Sequence, residues 1–368
     1  MKKLIVLSVV FALVATAAFA VDIGANVFGL AVLAQGESGD GASSDDISSS
    51  TGFERTRFSG YGEAGDGAFG GQIRLNAEVT EMKDAFAFWK PIDQLKVLIG
   101  GNGDGFYGKE GVTGWGFNGN PYDGGAAFGG NNIWGWNGGY DDNSYGQQIK
   151  TRHVFYGGYD DKTSLHLNIT PVDMFTLNIA VPLNGKTEDA VKGIMIQADV
   201  NLDFGNIALT YKGGDGGWEG DRQSIFLYYG GSFGDLSLDF GFSYTLKGED
   251  DDKVPMGVGL GLKYATDAFG VKFRVAATLG GDGKWDGTRV LADVLPYFSL
   301  GDNIAAFVGI GICMTSADGG DMFDWSFNPY VRIGEEWGAQ FLVGVKVNSE
   351  GDGNVTKWSI PIAIMVNF

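Results

Sequence analysis

An all-β fold, closed as an antiparallel up-and-down transmembrane β-barrel, is what the sequence predicts, and three observations predict it. Apolar residues recur at every second position in one short run after another, down to Trp358, Ile360, Ile362, Ile364, Val366 and Phe368 at the end of the chain. A strand turns alternate side chains to opposite faces, so each such run has one apolar and one polar side. No apolar run after Val21 approaches the ~20 residues a membrane helix requires, which leaves any spanning to strands. The composition, with 62 Gly, 8 Pro and 13% aromatic residues, suits many tight turns and interfacial rings better than a helical enzyme. An open sheet edge in lipid leaves amides unpaired at several kcal/mol each, so the sheet must close, and with both ends on one side its strand number is even. Counting hairpins favours 18 strands, with 16 the alternative because Ile149 to Tyr156 is strand-like. A soluble sandwich is the competing fold for the same alternation.

Taken in order, the chain opens with Lys2 and Lys3, an apolar run from Leu4 to Val14 and the small-x-small site Ala18-Phe19-Ala20. This is the pattern of a cleaved signal peptide over 1–20, leaving 21–368 as one barrel domain. Val21 to Ala34 reads as the first strand and Gly36 to Gly52 as a Ser, Asp and Gly-rich loop. Phe53 to Glu63 puts Arg55, Arg57, Ser59, Tyr61 and Glu63 on one face. In Gln72 to Val79 the residues Ile73, Leu75, Ala77 and Val79 oppose Gln72, Arg74, Asn76 and Glu78. Pro91-Ile92-Asp93 and Pro171-Val172-Asp173 read as two copies of one turn, since Pro cannot donate to a ladder. Further turns are expected at Phe204-Gly205, Phe233-Gly234, Phe269-Gly270, Leu300-Gly301 and Ile333-Gly334, spaced roughly as two membrane strands and their loops require. Trp89, Phe204, Phe233, Phe269, Trp337, Trp358 and Phe368 are candidates for an interfacial girdle. The alternating C-terminal run ending on an aromatic resembles the assembly signal of bacterial outer-membrane barrels, which implies the barrel-assembly machinery and outer-membrane lipid as partners.

The net charge of −19 excludes nucleic acid as a partner, because phosphates demand clustered Lys and Arg. Cys313 is the only cysteine, so no internal disulfide forms. No metal site or cofactor is expected: His153 and His166 lack zinc spacing, and Asp250 to Asp252 matches no Ca²⁺ loop. Ser164 and His166 share a polar face two residues apart, a weak hint of hydrolase chemistry that spacing alone does not establish. The expectation is a protein that is not an enzyme.

Placing the polar faces inward gives a basic wall: Arg55, Arg57, Arg74, Lys96, Lys263, Lys272, Arg274, Arg289, Arg332 and Lys346, joined by Lys357. Against them stand Glu63, Glu78, Asp199, Asp239 and Asp293, while most acid falls in expected outer loops such as Glu37 to Asp46, Glu249 to Asp252 and Asp318 to Asp324. The segment 103–148, after the fifth strand, holds Asp104, Glu110, Asp123, Asp141 and Asp142 together with the rings of Trp115, Trp134 and Trp136. A loop of that length is uncommon and tends to be functional. If it enters the barrel, its acids face the basic wall across a constriction and its rings pack on the wall or stack on sugars.

The stretch from Trp89 to Gly108, WKPIDQLKVLIGGNGDGFYG, with Gly111 to Phe117, GVTGWGF, resembles a family of spirochaetal outer-membrane porins. The resemblance implies a water-filled channel for passive diffusion of small hydrophilic solutes and ions, and by analogy a homotrimer. The competing class is an interaction barrel, an adhesin working through the acidic outer loops.

Overall fold

The computed structural model of the chain describes residues 20–40, 42, 47–76, 81–101, 164–183, 191–213, 223–247, 256–279, 287–317, 320–334, 339–350 and 354–367. Among them run β1 (Ala20–Gly39), β2 (Ser48–Ala64), β3 (Phe69–Asn76), β4 (Glu81–Ile92), β5 (Leu95–Gly101), β6 (Ser164–Val172), β7 (Phe175–Pro182), β8 (Met195–Leu202), β9 (Gly205–Lys212) and β10 (Gln223–Phe233). There follow β11 (Leu236–Lys247), β12 (Met256–Ala265), β13 (Phe269–Leu279), β14 (Gly287–Gly301), β15 (Ile304–Ala317), β16 (Gly320–Gly334), β17 (Gln340–Gly344), β18 (Lys346–Glu350) and β19 (Val355–Asn367).

Each strand pairs antiparallel with the next, and β1 pairs with both β2 and β19, so the sheet closes on itself. The segments β17 and β18 are one strand. Tyr330↔Gly344 and Ser326↔Asn348 lie in a single register on β16, and Gln340↔Met365 and Lys346↔Ser359 in a single register on β19. The interruption at Val345 lies opposite Pro329 on β16, which has no N–H to give the ladder, and one step from Pro361 on β19, although Val345 N still donates to the Pro329 carbonyl at 2.9 Å. The 19 segments therefore make an up-and-down barrel of 18 strands, the larger of the two expected even numbers.

The side-chain sorting is inside out. Ile23 (64% exposed), Ile73, Ile99, Leu209, Ile310 and Ile364 lie open on the outer wall, whereas Ser164, His166, Asn178, Gln197, Asp239, Asn328 and Gln340 are buried on the inner one. A soluble sandwich would bury the first set and hydrate the second, so the competing fold is overturned. Apolar residues outside and polar ones within is the arrangement that a hydrocarbon surround selects. Aromatic rings crowd the ends of the outer wall. Phe69 stacks on Trp89 at 6.4 Å, Phe269 tilts against Phe298 at 5.1 Å, and Phe204 and Phe233 stand exposed, all beside the tight turns. Trp358 lies at the opposite end of its strand, over Gly36, so it belongs to a second girdle with Tyr244 and Phe323. Trp337 and Phe368 lie outside the described residues.

Several expected boundaries move. The first strand runs on to Gly39 and the second begins at Ser48, because a register shift between Val32 and Gln35 lets the pair continue through what reads as a loop. Pro91 and Pro171 end strands and do not sit in turns; the turns are Asp93-Gln94 and Asp173-Met174. Phe269-Gly270 opens β13, the turn being Thr266 to Ala268, where Thr266 N and Oγ1 both donate to the Phe269 carbonyl. The other turns of this end are Gly65 to Ala68, Asp203-Phe204, Gly234-Asp235 and Asp302-Asn303. Gly234 (φ 62°) and Asn303 (φ 61°) take the left-handed conformation that such short reversals need. Asp66, Asp93, Asp173, Asp203, Asp235, Asp267 and Asp302 are all exposed at these turns, and no Lys or Arg shares them. The strand-like stretch Ile149 to Tyr156 lies outside the described residues.

Candidate functional site: the inner wall

Alternation brings to one surface residues scattered along the chain. Lys96, Lys263, Arg332 and Lys346 are half-buried and Lys272 is buried, each in alternation with the outward apolar rows of its strand. Arg55, Arg57, Arg74, Arg274 and Arg289 lie within β2, β3, β13 and β14, their side chains being outside the described set. Arg74 lies opposite Asp84, Arg274 opposite Asp293, and Lys263 directly opposite Lys272. The loop acids Asp104, Glu110, Asp123, Asp141 and Asp142 and the rings Trp115, Trp134 and Trp136 lie outside the described residues.

Two acids expected in loops lie within strands. Glu37 lies within β1 opposite Lys357, and Asp324 lies within β16, buried on the inner face, where it accepts from Ser349 Oγ at 3.2 Å while Ser349 Oγ accepts from Trp325 N at 2.8 Å. The wall thus carries acids among its bases. The sequence reading missed this because both acids sit in polar runs that look like turns, and only the register shows them facing partners.

A second feature missed is a chain of amides and hydroxyls across β6, β7 and β8. Thr176 and Thr170 meet at 3.3 Å, Thr170 Oγ1 donates to Asn168 Oδ1 at 3.5 Å, and Asn168 Nδ2 donates to Asn178 Oδ1 at 2.7 Å. Asn178 Nδ2 then donates to Asp199 Oδ2 at 3.0 Å, and Gln197 Nε2 reaches both carboxylate oxygens at 3.0 and 2.8 Å. The signal was present: polar residues alternate on three successive strands, in SLHLN, FTLNI and IQADV. Single-strand periodicity shows that they share a face but not that they touch. Ser164 and His166 come together here too. Ser164 Oγ donates to the Gly100 carbonyl at 3.2 Å and is also hydrogen-bonded to His166 Nε2. Both residues are fully buried.

Toward the tight turns the inner wall becomes aromatic. Tyr297, Phe307 and Tyr330 stack in sequence at 5.5 and 4.6 Å, with the Arg332 guanidinium 5.3 Å above Phe307. Between β2 and β4 Tyr61 stacks on Phe88 at 6.4 Å. Leu98 and Met195 are 1% exposed and Leu342 0%, although all three face inward.

No family model and no curated relative matches the chain. Solved structures do match its fold. OmpT, an outer membrane protein of Vibrio cholerae, superposes with a TM-score of 0.54 at 11% identity, covering 95% of this chain and 97% of that one. Its trimer form gives 0.50 at 11%, covering 95% and 100%. An anion-selective porin from Comamonas acidovorans gives 0.53 at 12%, covering 95% and 100%. At such identities the likeness concerns the fold.

Proposed function

We propose that the chain is an outer-membrane porin: a water-filled channel through which small hydrophilic solutes and ions diffuse down their gradients, without cofactor or chemistry. The observation that carries the reading is the inverted sorting of a closed 18-strand wall, apolar outside and polar within, in a barrel too wide for its own side chains to fill. On this reading residues 1–20 are a signal peptide, the mature chain starts at Val21, and the run from Trp358 to Phe368 is read by the assembly machinery. Lys96, Lys263, Lys272, Arg332 and Lys346, with the arginines at 55, 57, 74, 274 and 289, tilt the channel toward anions. The covered inner face supports the entry of 103–148 into the lumen, where its acids oppose that wall. A homotrimer is supported by analogy with the trimer form among the solved neighbours, and the spirochaetal affiliation by the motifs around Trp89 and Gly111.

The test is conductance of the refolded mature chain in a planar bilayer. Discrete open steps with a reversal potential toward the anion side are expected, and strong cation preference would contradict the wall assignment. The covered wall also favours a second reading, an occluded barrel that binds surface partners through its acidic loops. A silent bilayer together with tight capture of a surface ligand would select it.

A further inference from the structure

Phe88 is a buried ring on the inner wall that carries two cations. Lys96 Nζ stands 3.9 Å and Lys90 Nζ 5.4 Å from its centroid, so the two ammonium groups are separated by no more than the sum of those distances. The register explains the meeting. Lys90 follows Phe88 by two positions on β4, and Lys96 lies across the tight turn on β5, beside the Phe88↔Leu98 pair. Among the described residues neither lysine is in an ion pair. Both are half-buried, open to solute in a way that the sealed Asn178 and Gln197 are not. The nearby carboxylate, Glu63, accepts from the Tyr61 hydroxyl and also attracts Lys96, so an incoming anion competes with it for that ammonium.

The ring packs closely on a glycine. A Cβ at Gly70 would come within 2.4 Å of the Phe88 ring and 2.8 Å of the Gly62 carbonyl, so only glycine lets the ring sit this close to β3. An ammonium over a π face is attracted to it while keeping N–H donors directed away. Two such groups on one ring repel each other, and an anion with oxygens pointing two ways relieves both at once by charge-assisted hydrogen bonds. A halide offers a single point.

We propose that Lys90 and Lys96, seated on Phe88, form an oxyanion-binding station on the channel wall that prefers phosphate- or carboxylate-bearing solutes to halide. The inference rests on the channel reading and deepens it. Its test is the chloride current of single channels of the mature chain titrated with inorganic phosphate. Phosphate is expected to lower that current saturably. Lys96→Gln or Lys90→Gln should raise the half-effective concentration about tenfold, the worth of one charged hydrogen bond. Lys90→Arg should retain the effect, and Gly70→Ala, which keeps both charges and displaces the ring, should weaken it. An open channel whose current ignores phosphate, or whose phosphate response survives both glutamine variants, overturns the station. Absence of any channel overturns the diffusion reading instead. Calorimetric titration of the detergent-folded barrel with phosphate then decides the station alone, binding lost in Lys96→Gln supporting it and no heat refuting it. Heat-modifiable gel mobility identifies any variant that fails to fold, and the remaining variants carry the comparison.

Discussion

Asp199 is the residue through which the β6–β8 network closes, because Asn178 and Gln197 both donate to its carboxylate. Asp199→Ala leaves those donors buried without their acceptor, at about 1–3 kcal/mol per orphan. The urea midpoint of the protein refolded in vesicles should fall accordingly, and Asp199→Asn, which keeps one carbonyl, should fall less. Gly100 makes a different demand. Its φ of 136° is left-handed, and a Cβ there would stand 2.2 Å from the Ala85 carbonyl oxygen and 2.6 Å from Phe86 Cα, both main chain. Gly100→Ala should therefore cost at least the ~1–3 kcal/mol of a strained backbone, visible in the same unfolding curve. At this scale the sequence was only partly legible. Alternation alone sorts Lys96, Lys263, Lys272, Arg332 and Lys346 onto the polar faces of their strands. It could not show that Phe88 and Phe307 also face inward, since an inward ring breaks the polar-inside rule and only the pairing register resolves which face it takes.

At the scale of the strand, outer and inner positions should respond oppositely to charge. Ile310 lies mid-strand on β15 with its side chain on the outer wall. Ile310→Arg should destabilise the folded barrel in lipid by about 2–4 kcal/mol, the toll of a cation at mid-depth, and urea unfolding in vesicles reads it directly. Were the stability unchanged, the assignment of that face to lipid would fail. The seam between β1 and β19 is the other strand-level feature with a consequence. Deleting 355–368 removes the partner of β1, β17 and β18 together, leaving two unpaired edges. The truncated chain should show no heat-modifiable band and no insertion. Strand existence was legible because period-two rows such as Leu236, Leu238, Phe240, Phe242 and Tyr244 admit no helix. Strand ends were not: β1 and β2 extend past the expected loop boundary because cross-strand pairing holds Gly36 to Gly39 and Ser48 to Gly52 in the sheet despite their turn-like composition.

At the scale of the whole molecule, the sequence carried the even strand number and the inside-out sorting, and these two facts separate a membrane barrel from a sandwich. The covering of Leu98, Met195 and Leu342 was not legible, because burial within a lumen depends on what the closed wall encloses and not on any local pattern. The mouth of the barrel at the tight turns is ringed by exposed aspartates, from Asp66 round to Asp302, with no basic residue in those turns. Fixed negative charge of this kind holds a Donnan layer of cations at the opening, and at about 0.1 M salt its reach is ~10 Å. Dilution lengthens that reach until the collar governs entry, so the preference for anions should weaken as the bath is diluted and grow as added salt screens the collar.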